Sequence, residues 1–162
     1  MHKPNFLITA KEDNKPYWIS RSVAVVGVPI FTYNNKTYVP LAKRSKNMNL
    51  EPGKWGLPCG FLDWGESAQE AIRREILEEL GFDIYLIATI PNQPSLVITE
   101  PNELENDTVS LRYYIYQTVN ELPVLTGSKE SENPQWIETN LLSDFKLAFN
   151  HLDIIKEALL YK

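Results

Sequence analysis

The sequence predicts an α/β domain. Several runs rich in β-branched residues read as strands, a helix is signalled at both of its ends in mid-chain, and an amphipathic helix lies near the C-terminus, so the order is β, α, β, α. From Val23, VAVVGVPIFTY reads as a strand, and KTYVPLAKR follows across Asn34 and Asn35, which makes the pair a hairpin. Between Ser45 and Trp64, Pro52, Gly53, Gly56, Pro58 and Gly60 mark a long loop or a kinked strand. Ser67 followed three positions later by Glu70 is a capping box, and Gly81 stands where a left-handed cap belongs. The spacing therefore predicts a helix from about Ala68 to Leu80. Its apolar stripe is Ala68, Ile72, Ile76 and Leu80. Further strands are expected in FDIYLIATI from Phe82, SLVIT from Ser95, VSLRYYIYQTV from Val109 and QWIE from Gln135, separated by acidic, turn-rich segments. A last helix is expected from about Asn150 to Leu160, with Leu152, Ile155 and Leu159 on one face.

A length of 162 residues suits one domain, taken as 1–162, and 43% hydrophobic with 23% charged residues is an ordinary soluble composition. No apolar run approaches the roughly 20 residues of a membrane span. The single cysteine, Cys59, and an N-terminus without the apolar core of a secretory signal lead to the expectation of a reducing, cytoplasmic setting. A net charge of −5 disfavours a broad nucleic-acid footprint, which relies on clustered Lys and Arg. The basic residues Lys43, Arg44, Lys46 and Lys54 suit either a small phosphate or a solvated surface.

The carboxylates of the central helix raise the chemical question. Glu75, Glu78 and Glu79 fall within five consecutive positions, on an arc that overlaps the edge of the apolar stripe, so that Glu79 points toward the core side. Like charges at these spacings destabilise a helix by about 0.2–0.5 kcal/mol per pair, and by more when desolvated. Arg74 reaches Glu78 at i+4, and Arg73 can serve a neighbouring carboxylate. A hard divalent cation, Mg²⁺ or Mn²⁺, accounts for the inward acid as well. A salt-bridged, solvated face is the commoner origin of a Glu-rich helix.

Spacing decides between the two. Gly60, Glu66, Arg74, Glu75, Ile76, Glu78, Glu79, Gly81 and Phe82 stand in register with the pattern G-x5-E-x7-R-E-U-x-E-E-x-G-U, in which U is a bulky hydrophobic residue, and the segment resembles the Nudix box. Its seven fixed letters would coincide by chance on the order of once in 10⁸ positions. Phe82 replaces a usual aliphatic residue, and Cys59 replaces a frequent glycine. Trp55 before Leu57-Pro58, the strand-end Arg44, Trp136-Ile137 and the FNHLDII helix extend the resemblance over most of the chain.

The resemblance implies an α/β/α sandwich around a mixed β-sheet, and metal-dependent hydrolysis of a small nucleotide substrate, a nucleoside diphosphate linked to another moiety. It implies Glu78 and Glu79 as ligands to Mg²⁺ or Mn²⁺, with the Gly60 carbonyl joining them. Glu75 is then a ligand or the general base, Arg74 orients Glu75 or Glu78, and Glu66 supports the loop or reaches a second metal through water, near the substrate. Arg44 resembles an arginine that contacts substrate phosphate. Glu130 is the favoured distant base, ahead of Glu132 and the Glu100–Asp107 loop. Gln93-Pro94 matches the spacing of one pair in the NADH-pyrophosphatase signature, whose tryptophan and later prolines are missing. Tyr17, Trp18, Tyr113 and Tyr114 suit base stacking or the core. Hydrolysis of RNA 5′ ends and non-catalytic nucleotide sensing are the alternative functions, and a homodimer is compatible with the resemblance.

Overall fold

The computed structural model describes residues 4–101 and 107–161. Its elements are β1 (Phe6–Thr9), β2 (Pro16–Ile19), β3 (Val23–Tyr33), β4 (Lys36–Arg44), β5 (Trp55–Gly56), β6 (Cys59–Phe61), α1 (Ala68–Leu80), β7 (Leu96–Ile98), β8 (Val109–Thr118), β9 (Ser131–Glu138) and α2 (His151–Leu160). Short 3-10 turns occupy Ile84–Leu86 and Thr139–Asp144.

The main sheet runs β5-β4-β3-β8-β7, with β6 added to β3 and β9 to β4. It is mixed because β3 and β8 pair in parallel from Val23–Val109 to Thr32–Thr118, while the other pairings are antiparallel. The β3–β4 hairpin turns on Asn34 (φ 48°) and Asn35 (φ 60°), left-handed positions that asparagine tolerates and a two-residue turn demands.

Strand alternation splits the core into two layers. Val25, Phe31, Tyr113 and Ile115 face α1 and pack with Ile72, Ile76 and Leu80. Val26, Val28, Ile30, Leu41 and Tyr114 face the other way, onto Ile154, Ile155 and Ala158 of α2. The result is an α/β/α sandwich. Ile72, Ile76 and Leu80 are fully buried, and each contributes about 1.5–3 kcal/mol by leaving water. Both ends of α1 are held by local chemistry. Glu70 N–H donates to Ser67 Oγ (3.2 Å), Ser67 N–H donates to Glu70 Oε2 (2.7 Å), and Gly81 adopts φ 80° while donating to the Leu77 carbonyl (3.0 Å).

Three expectations need correction, and one element escaped the sequence reading. FDIYLIATI is not a strand: Asp83 accepts from Tyr85 N–H (3.1 Å) and from Arg73 (2.9 Å), which winds the segment into the Ile84–Leu86 turn. The QWIE strand starts earlier, at Ser131, because residues 131–132 already pair with β4. The buried face of α2 is His151, Ile154, Ile155 and Ala158, whereas Leu152 and Leu159 lie half-buried at its margin. The β1–β2 hairpin was not anticipated; it turns at Asn14 (φ 57°) and forms a separate two-stranded sheet. Tyr113 and Tyr114 are core residues. Among the described residues, no helix is long and apolar enough to cross a membrane.

Candidate active site

Gly60 and Glu75 define the centre of the site. β6 places Gly60 against α1, where Glu75 is 7% exposed, and a Cβ on Gly60 would lie 2.8 Å from Glu75 Oε2 and closer still to Oε1. Only glycine leaves room for that carboxylate. Glu75, rather than Glu79, is the most buried of the three glutamates; Glu79 is half-buried and Glu78 exposed.

Arg74 is the cation among them. Its Nη1 donates to Glu75 Oε1 (2.6 Å) and, at 3.3 Å, to Glu78 Oε2. Its Nη2 and Nε donate to Glu66 (2.7 and 3.1 Å), and Nη2 also donates to the Phe61 carbonyl (3.1 Å). Glu66 in turn accepts from Asp63 N–H (2.8 Å), so this residue ties the loop to the helix through both oxygens. Arg73 faces away, paired with Asp83 and stacked on Tyr85.

Glu79 has no ion-pair partner among the described residues. Burial, and then repulsion from Glu75, push its carboxyl up to about 8, against a backbone hydrogen bond from Cys59 and the attraction of Arg44. Glu75 is also raised, by burial first, with Arg74 opposing. Glu130 acts on Glu79 through its charge, although it lies far off in sequence. The structure thus brings Arg44 and Glu130 to the same flank as Glu75 and Glu79. Adjoining backbone explains this: Arg44 pairs with Ser131 across β4 and β9, and Ser45 N–H donates to the Glu130 carbonyl (2.8 Å). Arg44 Nε donates to the Leu50 carbonyl (3.0 Å), and its guanidinium lies 5.0 Å over the Phe149 ring. Glu132 is exposed on β9, and most of the Glu100–Asp107 loop lies outside the described residues.

Sequence reasoning missed His151. It is 3% exposed, and its Nδ1 accepts from Leu57 N–H (3.0 Å), which pins the segment just before Gly60 to the start of α2. Burial, helped by Arg44 and Arg112, lowers its pKa to about 4, so the ring is neutral and the acceptor is kept. A histidine that opens α2 carries no local sign of this role. Cys59 is unsuited to nucleophilic work, because burial and the neighbouring Glu79 push its thiol well above the usual range.

The fit of a divalent cation follows from the donors. Among the described residues no three acidic, histidine or cysteine side chains form a ready-made metal cluster, and Arg74 occupies Glu66, Glu75 and Glu78 instead. The available donors are hard carboxylate oxygens, and Glu79 is a half-buried carboxylate that makes no ion pair among the described residues and is repelled by a second carboxylate, Glu75. A hard cation relieves that repulsion, so the residues fit one.

A glycine-backed glutamate cluster on a loop and helix, set against the flank of a mixed sheet, defines the Nudix class of hydrolase. The chain belongs to the NUDIX family, whose NUDIX domain matches residues 23–158. It is 31% identical over 155 residues to the ADP-ribose pyrophosphatase of Methanocaldococcus jannaschii, covering 96% of this chain and 84% of the relative. It is 30% identical over 116 residues to the nucleoside triphosphatase NudI of Klebsiella pneumoniae, covering 70% and 81%. Its fold matches the NUDIX domain of Shewanella oneidensis NrtR, crystallised with ADP ribose, at a TM-score of 0.71 and 20% identity, covering 88% and 89%.

Proposed function

We propose that this Nudix hydrolase is a Mg²⁺- or Mn²⁺-dependent pyrophosphohydrolase of nucleoside diphosphate derivatives, with ADP-ribose ahead of nucleoside triphosphates as the substrate kind. Half-buried Glu79, which makes no ion pair among the described residues and is repelled by the Glu75 that Gly60 accommodates, carries the reading. The substrate preference rests on similarity to the ADP-ribose pyrophosphatase over 96% of the chain, against 70% for the triphosphatase.

In this reading Glu78, Glu79 and the Gly60 carbonyl hold the cation, which when bound neutralises phosphoryl charge and lowers the pKa of water. Glu75 accepts the proton of the attacking water. The water oxygen bonds to one phosphorus, the bridging P–O bond breaks, and two phosphomonoesters leave. Arg74 aims Glu75 with one guanidinium edge while Glu66 holds the other. Arg44, with donors to spare beyond the Leu50 carbonyl, contacts substrate phosphate.

The test is hydrolysis of ADP-ribose, NADH, nucleoside triphosphates and sugar nucleotides with and without either metal. Glu79→Gln is expected to lose turnover and metal affinity while keeping the Tm. Full activity in this variant would overturn the metal assignment. A pH–rate profile whose acidic limb is lost in Glu130→Gln and kept in Glu75→Gln would transfer the base to Glu130. Absence of hydrolysis across the panel by folded, metal-bound protein would favour RNA 5′ ends or sensing.

A further inference from the structure

Two residues adopt a backbone that their side chains disfavour. Among the described residues, every non-glycine residue in the left-handed region is Asn or Asp except Glu51 (φ 50°) and Phe149 (φ 49°). Asparagine and aspartate tolerate that region, whereas a bulky residue held there costs free energy and persists only where its surroundings over-determine it. Both exceptions lie beside Arg44. Lys54 first, against some desolvation, and then the Phe149 N–H draw the Glu51 carboxyl below its ordinary value, so the two left-handed residues face one another. Arg44 also acts on that carboxyl through its charge.

Backbone bonds fix both positions. Trp55 N–H donates to the Lys146 carbonyl (2.9 Å) and Ala148 N–H to the Trp55 carbonyl (2.7 Å), which laces the chain before Phe149 to β5. His151 N–H donates to the Ala148 carbonyl (3.1 Å) and closes the turn into α2. Arg44 N–H donates to the Lys54 carbonyl (2.8 Å) and Gly53 N–H to the Arg44 carbonyl (2.9 Å), so the Glu51 loop is tied to the end of β4. At this junction the Phe149 ring lies against the Arg44 guanidinium, 5.0 Å from its centre. A core role does not account for the placement, since the ring is 37% exposed and belongs to neither buried layer.

The guanidinium is thus held by one face and one edge. Phe149 covers the face, Nε donates to the Leu50 carbonyl (3.0 Å), and neither Nη group makes a hydrogen bond or ion pair among the described residues. A planar cation fixed in this way is preorganised for a forked contact to phosphate oxygens. We propose that Phe149 is a positioning residue for substrate binding, whose ring, set by the left-handed turn, holds the Arg44 guanidinium with both Nη groups free for phosphate. This rests on the reading of Arg44 as the phosphate contact. Without the ring, a long and mobile side chain must be ordered at each binding event, which weakens the complex.

ADP, which carries the diphosphate, is the probe, titrated with Mg²⁺ into the full chain by calorimetry. Phe149→Leu keeps apolar bulk but has no π face, and it is expected to raise Kd about 5-fold, the effect of ordering one long side chain on binding. Phe149→Tyr, which retains the ring face, should restore the parental Kd. Arg44→Ala should raise Kd at least as far, and adding Phe149→Leu to it should change nothing further. A purely structural Phe149 would lower the Tm or the bound fraction per chain and leave Kd unmoved, which overturns the proposal. An equal Phe149→Leu effect in the Arg44→Ala background, or failure of Phe149→Tyr to restore Kd, would overturn it as well. A parental Kd in Arg44→Ala, or no saturable ADP binding by the parent chain, would instead overturn the phosphate contact at Arg44 and the proposal with it.

Discussion

Gly60→Ala tests the heart of the site with a single methyl group. The added Cβ would sit 2.8 Å from Glu75 Oε2, and closer to Oε1 and to the carboxyl carbon, well inside van der Waals contact. Glu75 cannot retreat into the helix side, where Ala71, Ile72 and Ile76 are fully buried, so its carboxylate must swing and release its 2.6 Å bond from Arg74. A displacement of about 1 Å at a reacting group costs on the order of 10²-fold in rate, and the crowding costs about 1–3 kcal/mol of stability. Gly27→Ala is the matched control. Its Cβ would meet Ile76 Cδ1 at 3.4 Å under the same helix, a contact small shifts can absorb. Steady-state hydrolysis of ADP-ribose and thermal melts should give a kcat about 10²-fold lower for Gly60→Ala and near-parental kcat for Gly27→Ala. Parental kcat in Gly60→Ala would refute the placement of Glu75. So would a fall in kcat that merely follows the folded fraction in both variants.

Gly81→Ala meets two obstacles, a left-handed φ of 80° and a Cβ 2.9 Å from the Thr126 carbonyl, and should lower stability by about 1–3 kcal/mol in urea titrations. Arg74→Lys keeps the charge but loses the fork that serves Glu66, Glu75 and Phe61 together; kcat should fall about 10- to 100-fold with little change in Tm. His151 has a folded pKa near 4 against an ordinary 6.5, so the unfolded chain binds the extra proton between those values. Stability should therefore fall as pH drops from about 6.5 to 4, by about 3 kcal/mol at most. His151→Asn, which retains an acceptor for Leu57 N–H, should flatten that part of the urea-midpoint profile. Cys59 should resist iodoacetamide in the folded protein at pH 8 and react promptly in urea, as mass spectrometry would show.

What was legible in the sequence was local. The Ser67–Glu70 box and Gly81 mark α1 because their chemistry acts within one turn, and Asn34-Asn35 marks a hairpin for the same reason. The strand reading of FDIYLIATI failed because β-branched content is a weak preference, overridden when Arg73 reaches across ten positions to Asp83. The hairpin at Phe6–Ile19 escaped notice because its strands have four residues each and turn on Asn14 with help from Asp13, whose carboxylate accepts from Lys15 N–H and the Tyr17 hydroxyl. In the site, helix periodicity shows which glutamates share an arc but not which one is innermost. That depends on Gly60, delivered by a strand whose partner is β3. His151 belongs to the same class of nonlocal fact.

The parallel pairing of β3 with β8 also governs how the protein assembles. Parallel neighbours need a long crossover, and here the segment between Tyr33 and Val109 contains β4, the loop, β6 and all of α1. The sheet's longest ladder therefore closes around the glutamate-bearing segment, and closing so large a loop makes that step slow relative to forming the β3–β4 hairpin. A nascent chain arrested before Val109 would carry every residue of the Nudix box, yet lack the strand that completes the floor beneath α1.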